Sequence, residues 1–520
     1  MLLSLDPVPA LLARTRAELG ATFDVARPMR VSRAPGRLDV MGGIADYTGS
    51  LVCEMPLDRA AAVVLQERDQ PRDRELQVFS FNLLDEHQPF TFRMSIDDLA
   101  GADGEALRKE FNEPGRKWAG YVAGCLFILH EQGLIDLRDR SISGINLALL
   151  STVPLGAGIS SSAAIEVATM MNLVDHFSLR GMAVSATRNR EAILRPAAEG
   201  AAGRSSAHGR DAHATIGPLS VAALCQQVEN RIVGAPCGIM DQVTSCAGEA
   251  GALLRLLCQP HELQPPLKLP PDVRVIGINS NVKHSVGGGE YGRTRCAAFM
   301  GHKIILEKMR AMGTAGGRTL ERDPMNGYLA NLAADDYKRY FRPYLPETMR
   351  GRAFIEQFGQ TIDTATKVDP DVDYHVLGAA DHHVLEAQRV RNFAAFLEEA
   401  GGHPAGTRAA GEPLDKAGHL MYASHLSYTN DARLGADECD LLVDLVRQNE
   451  RAGLYGAKIT GGGSGGTVAV MCDASERADR AIEEIMREYQ KRTGRKPEAF
   501  TGTSPGAWTV GTSCCANYQR

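Results

Sequence analysis

The sequence predicts a mixed α/β (α+β) protein with two or three domains. The chain has 520 residues, of which 44% are apolar and 23% charged, an ordinary globular balance with ample material for more than one core. An apolar run at 144–150 is typical of a strand, and a glycine loop and a helical pattern follow it. The last hundred residues show the order strand, helix, glycine loop, strand, helix and strand, which indicates an α+β layer with antiparallel pairing.

Periodicity and Gly or Pro breaks predict the elements in chain order. Helices are predicted at 8–19, 118–129, 165–171, 219–231, 293–312, 384–400, 417–426, 436–449 and 476–493. Strands are predicted at 28–34, 52–66, 144–150, 273–280, 467–471 and 507–511. Two stretches, near 195–215 and 313–380, interrupt this order and are predicted to be insertions, the second with short helices.

Charge and composition argue against nucleic acid or a membrane as a partner. The net charge is -6, so any basic groups that hold phosphate must be local. No apolar run is long enough to cross a bilayer, and the first residues lack the basic region of a signal peptide. The 11 cysteines have neither zinc-site nor CxxC spacing. These features predict reduced thiols and a cytoplasmic location.

Residues 154–164, with the sequence Pro-Leu-Gly-Ala-Gly-Ile-Ser-Ser-Ser-Ala-Ala, carry the strongest chemical signal. Glycines let the backbone approach a ligand and adopt positive φ. The first turn of the following helix offers unpaired N–H groups and a positive dipole end, for which phosphate is the natural occupant. No Lys follows the glycines, so this is not the Walker pattern. A Ser-capped helix without a ligand is the alternative that this stretch alone leaves open.

Two further glycine loops are candidates for a site lining. The loop at 35–47 holds Arg37, Asp39 and Asp46 within ten residues, and polar groups on a turn between apolar runs are typical of binding sites. A solvated loop with an Arg–Asp pair would have the same pattern. The other loop, at 458–466, contains five glycines and leads into a predicted strand.

Together the three loops resemble the signature motifs of the GHMP small-molecule kinases (galacto-, homoserine, mevalonate and phosphomevalonate kinases). The matching stretches are Pro35–Tyr47, Pro154–Ala164 and Lys458–Gly466. The similarity spans most of 32–471, apart from the two insertions. It raises the phosphate-loop interpretation of 154–164 well above the alternative of an empty helix cap.

The resemblance is strongest to the galactokinase branch of this family. Residues 228–242 and 279–285 are similar to that branch as a whole. The pattern at Arg37–Tyr47, with His284–Gly288 and Ser424–Tyr428, is similar to the kinase portion of L-arabinokinases.

The resemblance implies a two-lobed fold with the site between the lobes. Residues 1–215 would form a ribosomal-protein-S5-like N-terminal lobe that carries the ATP phosphate loop. Residues 216–520 would form a ferredoxin-like C-terminal lobe with the insertion near 313–380. The implied partners are small molecules, ATP and a sugar, with Mg²⁺ as a cofactor, and the sequence leaves the oligomeric state open.

The resemblance also implies roles for individual residues. Asp241 matches the catalytic base that would accept the proton of the anomeric hydroxyl, and Arg37 matches its partner arginine, which would keep it ionised. Ser162 and Glu229 match the magnesium ligands, a hydroxyl and a carboxylate that suit a hard cation. Asp241 could instead cap the helix that follows it, and Trp118, which matches an aromatic near the adenine, could instead pack in the core. The positions implied to bind the sugar are Asp39, Gly43, Ile44, Asp46, Gly238, Tyr291 and Gly462. The positions implied to bind ATP are Trp118, Pro154, Gly156, Ala157, Gly158, Ser160, Ser161 and Ser162.

One departure from the galactokinase pattern bears on the substrate. Galactokinases usually carry an acidic residue and a histidine, which hold the hydroxyl on the exocyclic carbon of the sugar, where this chain has Gly43 and Ile44. L-Arabinopyranose presents the ring hydroxyls of galactose without that carbon. The resemblance therefore favours an ATP-dependent kinase that converts L-arabinose to L-arabinose 1-phosphate. The alternatives are a galactokinase, or an inactive regulator that binds sugar and ATP on the same scaffold.

Overall fold

The computed structural model describes residues 5–69, 73–181, 216–283, 289–315, 320–404 and 406–515. The strands in this part of the chain are β1 (Met29–Met41), β2 (Leu51–Glu67), β3 (Glu75–Ser80), β4 (Thr91–Ser95), β5 (Ile145–Ser151), β6 (Ala252–Leu257), β7 (Glu262–Lys268), β8 (Val273–Asn279), β9 (Met349–Arg350), β10 (Asp373–Tyr374), β11 (Leu454–Ile459), β12 (Thr467–Asp473), β13 (Glu498–Phe500) and β14 (Thr512–Cys515).

The α-helices of the described residues alternate with these strands. They are α1 (Val8–Glu18), α2 (Phe81–Asp85), α3 (Ile96–Gly101), α4 (Gly104–Phe111), α5 (Lys117–Glu131), α6 (Ser161–His176), α7 (Pro218–Gln227), α8 (Met240–Ala247), α9 (Gly289–Ala315), α10 (Ala334–Asp336), α11 (Gly351–Phe358), α12 (Val376–Gly401), α13 (Arg408–Asn430), α14 (Asp437–Gln448), α15 (Glu476–Thr493) and α16 (Ala507–Val510). Short 3₁₀ or π segments are Gly43–Thr48, Val228–Val233, Leu329–Asn331, Tyr337–Phe341, Arg342–Tyr344 and Glu450–Ala452. Within the described ranges, no helix combines the length and the apolar character needed to cross a bilayer.

Two sheets organise the molecule. The larger has eight strands in the order β14-β1-β2-β5-β3-β4, with β6 beside β2 and β7 beside β6. Its pairs are antiparallel except β3 with β5, which run parallel. The smaller sheet has the antiparallel order β11-β12-β8-β13. Long β2, of 17 residues, pairs along one edge with β1, and along its other edge with β6 at residues 51–54 and with β5 at residues 61–67.

Helix α6 is the element on which the site is built. Eleven of its 16 residues are buried, from Ala163 to Val174, because its apolar body packs across β1 and β2 and against α5. This burial, more than intrinsic propensity, stabilises a helix in a folded protein. The N-terminus of α6 is therefore fixed at the end of β5, just after the 154–160 loop.

A shared apolar cluster joins the two sheets. It contains Leu38 and Leu57 from the larger sheet and Val275 and Met471 from the smaller one, each at most 2% exposed. Fully burying a side chain of this kind contributes about 1.5–3 kcal/mol. The junction between the sheets is thus packed as a core, which gives the loops around it a rigid base.

The larger sheet contains strands from both of the predicted lobes. Strands β6, β7 and β14 come after residue 215, yet all three belong to the larger sheet, and β14 pairs with β1 in the register Met29 to Cys515. Residues 182–215, with the insertion near 195–215, lie outside the described residues. The division into 1–215 and 216–520 stays a prediction.

Two predicted elements are wrong in detail. Strand β1 does not end at residue 34 but continues to Met41, because the pairing with β2 resumes after an irregularity between Pro35 and Arg37. Proline and glycine there mark a bulge in the strand rather than its end. The predicted strand at 507–511 is helix α16, which Gly511 ends at a φ of 70°, and β14 follows it.

Candidate active site

The three glycine loops of the sequence meet at the N-terminus of α6. The backbone N–H of Arg37 donates to the carbonyl of Ile159 at 3.1 Å, which joins the first loop to the second. A Cβ on Gly461 would lie 2.8 Å from the carbonyl oxygen of Gly158, so the third loop approaches the second more closely than a side chain allows. The three motifs therefore form one site.

The second loop has the shape expected of an anion cradle. Gly156, Gly158 and Ser160 have φ values of 73°, 69° and 60°, which turn the backbone sharply before α6 begins at Ser161. Ser160 makes no side-chain cap hydrogen bond, so it occupies none of the first-turn N–H groups. Leu155 is 50% exposed at the tip of the loop. Backbone N–H groups at this end of α6 are available to an anion.

Asp241 lies at the centre of the site, between the first and second loops. Nε and Nη2 of Arg37 donate to its Oδ1 at 2.9 and 2.7 Å, and the hydroxyl of Ser160 donates to its Oδ2 at 2.6 Å. Nη1 of Arg37 donates to the Gly158 carbonyl at 2.8 Å, so the guanidinium is held by the second loop as well as by the carboxylate. The Asp241 side chain is 22% exposed and that of Arg37 only 3%, so the carboxylate keeps an accessible face. These bonds hold the carboxylate of Asp241 in one orientation.

The helix-cap alternative for Asp241 is wrong. Helix α8 begins at Met240, its N-cap residue is Ile239, and no side chain caps it. The carboxylate of Asp241 points instead to Arg37 and Ser160. Its contacts are those of a site residue and not those of a helix cap.

A buried ion pair connects the first and third loops. Nζ of Lys458 lies 2.5 Å from Oδ2 of Asp39, and both side chains are fully buried. The other carboxylate oxygen of Asp39 accepts from the N–H of Gly43 at 2.9 Å, and Oδ2 also accepts from Gly461 at 3.2 Å. All of these contacts of Asp39 are with other groups of the protein, so Asp39 links the first loop to the third. The presence of a lysine in an otherwise apolar strand was the sequence feature that could have identified Lys458 as part of the site.

Glu54 is a second carboxyl group beside Arg37 that sequence reasoning missed. It is fully buried, and Oε2 lies 3.3 Å from Nε of Arg37. Neither of its oxygens has a hydrogen-bond partner among the described residues. Burial and then the charge of Asp39 raise the pKa of Glu54 well above its ordinary value. Its position in the apolar run of β2 marked it as unusual, but no spacing related it to a site.

An acidic pocket lies beside the phosphate loop. Nε2 of Gln242 donates to Oε2 of Glu229 at 2.8 Å and to Oε2 of Glu166 at 3.2 Å. The Ser162 hydroxyl is close enough to Glu229 to act against a rise in its pKa. Burial and then the charge of Asp241 raise the pKa of Glu229 to about 7. Glu166 is fully buried, and its Oε1 has no hydrogen-bond partner in the described ranges. A lone glutamate in the apolar body of α6 was the signal that could have identified Glu166.

Asp46 and Gly238 form a second polar corner of the site. A Cβ on Gly238 would lie 1.6 Å from Oδ2 of Asp46, so the backbone lies directly against the carboxylate. Burial and then the charge of Asp241 raise the pKa of Asp46 to about 7. Tyr291, in α9, is 7% exposed, and its ring lies edge-on to that of Tyr47 at 6.1 Å.

Tyr428 occupies the space beside the two residues that depart from the galactokinase pattern. A Cβ on Gly43, which has a φ of 44°, would lie 1.6 Å from the Tyr428 hydroxyl oxygen. That hydroxyl accepts from the N–H of Ile44 at 3.0 Å and donates to the Gly461 carbonyl at 2.9 Å. Ile44 itself is 1% exposed, whereas Gly462 is partly exposed. The structure thus couples the glycine at 43 to a tyrosine on α13.

Trp118 lies apart from this cluster, in a cleft between the β3–β4 hairpin and the start of α5. The cleft has a volume of about 240 Å³ and is lined by Pro89, Phe92, Arg93, Arg116 and Trp118. Trp118 is half-buried, with one side packed against the core behind α5. It therefore both packs and lines a cleft. Residues 284–288, which the sequence analysis relates to the L-arabinokinases, lie outside the described residues.

The comparisons with known proteins agree with this geometry. Residues 121–217 match the profile of the GHMP kinases N terminal domain, residues 410–491 that of GHMP kinases C terminal, and residues 18–67 the galactokinase galactose-binding signature. The crystal structure of Lactococcus lactis galactokinase complexed with galactose has a TM-score of 0.66 at 19% identity, over 98% of this chain and 100% of that one. At that identity the match shows the fold, a two-domain GHMP kinase fold. The two matched domain profiles and the shared fold are what this chain has in common with the GHMP kinases.

Two relatives are similar to this chain over most of its length. L-arabinokinase of Arabidopsis thaliana is 37% identical over 96% of this chain, which spans 48% of that protein. Galactokinase of Chloroflexus aurantiacus is 28% identical over 94% of each chain. The relatives that the chain resembles over most of its length are therefore proteins named L-arabinokinase and galactokinase. The chain spans about half the length of the L-arabinokinase that it matches.

Proposed function

We propose that this protein is an ATP-dependent kinase that phosphorylates the anomeric hydroxyl of a monosaccharide. The observation that carries the proposal is the position of Asp241, which is bonded to Arg37 and Ser160 directly beside the helix N-terminus of the glycine loop. A proton acceptor beside an anion cradle is the minimum that phosphoryl transfer to a hydroxyl requires. The names of the relatives support the same reaction class.

In the proposed reaction Asp241 accepts the proton of the anomeric hydroxyl as its oxygen attacks the γ-phosphorus of ATP. The new bond joins that oxygen to phosphorus, the bond from phosphorus to the bridging oxygen breaks, and ADP leaves. Arg37 holds the carboxylate of Asp241 in position, since two of its nitrogens bind one carboxylate oxygen. The N–H groups at the start of α6 would bind the phosphates, and the cleft at Trp118 is the proposed site of the adenine.

The acidic pocket fits a magnesium ion bound together with the nucleotide. Ser162 and Glu229 would hold it, and the orphaned Oε1 of buried Glu166 offers a nearby acceptor for its bound water. Mg²⁺ prefers few protein ligands and several waters. In keeping with this, the described residues contain no group of three or more His, Cys, Asp or Glu side chains that could hold a metal alone. When bound, the ion would neutralise charge on the transferred phosphoryl group.

L-Arabinose is the proposed sugar. Gly43 and Ile44 offer no side-chain hydrogen bond to an exocyclic hydroxyl, and the Tyr428 hydroxyl is already shared between Ile44 and Gly461. A pocket without those polar groups has no buried polar group left unpaired, and therefore no binding penalty, when the substrate lacks the hydroxyl. The 37% identity to a protein named L-arabinokinase, above the values of the galactokinases, supports the same choice. Phosphate would be placed on the anomeric oxygen to give L-arabinose 1-phosphate.

Sugar-dependent release of ADP tests the proposal. We expect release with Mg-ATP and L-arabinose, a lower specificity constant with D-galactose, and loss of activity in Asp241→Asn. Asp479→Asn, which alters an exposed ion pair on α15, serves as the matched control. A preference for D-galactose would overturn the choice of sugar. Binding of sugar and ATP by calorimetry without ADP release would identify an inactive regulator instead.

A further inference from the structure

The segment at 313–380, which the family resemblance leaves out, contributes the side chain of Asp363 to the surroundings of the site. Asp363 lies in this segment and receives two bonds from Arg295 of α9, from Nε at 2.9 Å and from Nη2 at 2.7 Å. The side chains are 3% and 9% exposed. The N–H groups of Ala365 and Thr366 and the Thr366 hydroxyl also donate to Asp363, so the carboxylate is held on both sides.

Arg295 passes this restraint to the loop that precedes the proposed base. Its remaining nitrogen, Nη1, donates to the carbonyls of Pro236 and Cys237 at 3.2 and 3.1 Å. The next residue, Gly238, is the one whose backbone lies against Asp46. One guanidinium therefore joins the 313–380 segment to the wall of the polar corner.

The same guanidinium also contacts the other wall. Its central carbon lies 4.8 Å from the ring centre of Tyr47 and 5.7 Å from that of Phe299. Tyr47 follows Asp46 directly and donates its N–H to the Asp46 carboxylate at 2.7 Å. Arg295 thus contacts the chain on both sides of Asp46, at residues 236–237 and at Tyr47. A buried arginine that is bidentate to a carboxylate and stacked on a ring is held in a single orientation.

We propose that Asp363 and Arg295 are positioning residues: the 313–380 segment fixes Arg295, and Arg295 fixes the 236–238 loop and Asp46 for binding of the sugar. The inference rests on the proposed function for the identity of the ligand, but the ordering of the loop does not depend on it. Loss of the pair should loosen the sugar corner and leave the phosphate loop, on the far side of Asp241, in place.

Asp363→Asn and Arg295→Lys test this, with Arg342→Gln as the matched control. Arg342 also belongs to the 313–380 segment and makes a bidentate pair, with Asp381 of α12, away from the site. We expect the dissociation constant for L-arabinose to rise about tenfold or more in both test variants, which corresponds to about 1.4 kcal/mol of lost binding free energy. We expect the affinity for Mg-ATP to stay within about twofold of the wild-type value. A general loss of stability would instead weaken the binding of both ligands.

Amide hydrogen exchange gives a readout that needs no sugar. Peptides that cover residues 234–240 should exchange faster in Asp363→Asn and Arg295→Lys than in wild type or in Arg342→Gln. Unchanged exchange in those peptides, or equal weakening of sugar and Mg-ATP binding, would overturn the positioning role. If wild type binds no sugar, the proposed function fails, and the exchange comparison still decides whether Asp363 orders the loop. A test variant that does not fold is replaced by the other of the pair, which removes the same interaction.

Discussion

At the scale of single residues, the site is a set of carboxyl groups that differ in their surroundings. Asp241 is bonded to Arg37 and Ser160 and keeps an exposed face. Glu54 lies against the same arginine, but it is fully buried and accepts no hydrogen bond within the described residues. Of these two acids only Asp241 has an exposed face, so it is the proposed proton acceptor.

Asp241→Asn tests that role. The change keeps the shape and the Ser160 contact but removes the capacity to accept a proton, so turnover should fall about a hundredfold or more, within the range of a positioned base. Because Asp241 caps no helix, we expect the melting temperature to change little. Steady-state kinetics and a thermal melt on the same preparation measure both. Near-wild-type turnover with a lowered melting temperature would contradict a catalytic role.

Glu54→Gln tests the state of the second acid. Burial and the charge of Asp39 raise the pKa of Glu54 well above its ordinary value, which favours its uncharged form. The isosteric, uncharged glutamine should then retain turnover within about threefold, whereas Glu54→Ala removes buried volume and should lower stability. A loss in Glu54→Gln as large as that in Asp241→Asn would show that Glu54 is ionised and that Arg37 depends on its charge.

At the scale of elements, sequence periodicity predicted most helices and strands but not the contacts that build the site. The helical pattern at 476–493 coincides with α15, and that at 436–449 with α14 to within a residue at each end. Strand β1 was cut short because Pro35 and Gly36 are usual strand ends, whereas here the pairing with β2 overrides them. Local pattern cannot show such an override, because the partner strand decides it.

The site residues divide in the same way. Arg37 and Asp241 are 204 positions apart, and only a family motif could relate them before the fold was known. Lys458, Glu54, Glu166 and Tyr428 stand in apolar or mixed patterns that give no chemistry by themselves. Their roles come from burial beside other charges, which is a property of the folded chain.

The contact of Gly43 with α13 makes a prediction at this scale. Galactokinase-like residues introduced as Gly43→Glu and Ile44→His should destabilise the protein, because a Cβ at residue 43 would lie 1.6 Å from the Tyr428 hydroxyl oxygen and φ is positive there. Adding Tyr428→Ala removes that obstacle and should recover folding. The triple variant should narrow or reverse the preference for L-arabinose over D-galactose.

Thermal melts and specificity constants for both sugars on the double and triple variants give the measurement. Tyr428→Ala alone is the control, since it removes the tyrosine without adding polar groups. An unchanged sugar ratio in a folded triple variant would show that residues 43 and 44 do not set the choice.

At the scale of the whole molecule, the site lies where the two sheets are joined. The cluster of Leu38, Leu57, Val275 and Met471 joins them through apolar contacts, and the Asp39–Lys458 pair joins their loops through charge. The chain crosses this junction repeatedly, and its last strand, β14, returns to the larger sheet. A boundary taken from chain order could not show this, because sheet membership depends on long-range pairing.

The junction also concentrates acids, which makes stability depend on pH. The pKa values of Asp46 and Glu229 are each raised to about 7, chiefly by burial and then by Asp241. A carboxyl group whose pKa is higher in the folded than in the unfolded state keeps its proton only in the folded state between the two values. Its contribution to stability is therefore complete below about pH 4 and is lost as the pH rises to about 7.

Glu229→Gln should make that loss smaller. The variant cannot ionise at residue 229, so its melting temperature should fall less than that of wild type between pH 5 and pH 8, and at pH 8 it should exceed wild type. The same variant should lose turnover at limiting Mg²⁺, because the proposed metal carboxylate is gone. Melts of both proteins across this range, with Glu249→Gln as an exposed control, make the comparison. If the melting temperatures of wild type and variant fell in parallel, Glu229 would be ionised throughout this pH range. Ionisation of the acidic pocket would then not be the cause of the pH-dependent loss of stability.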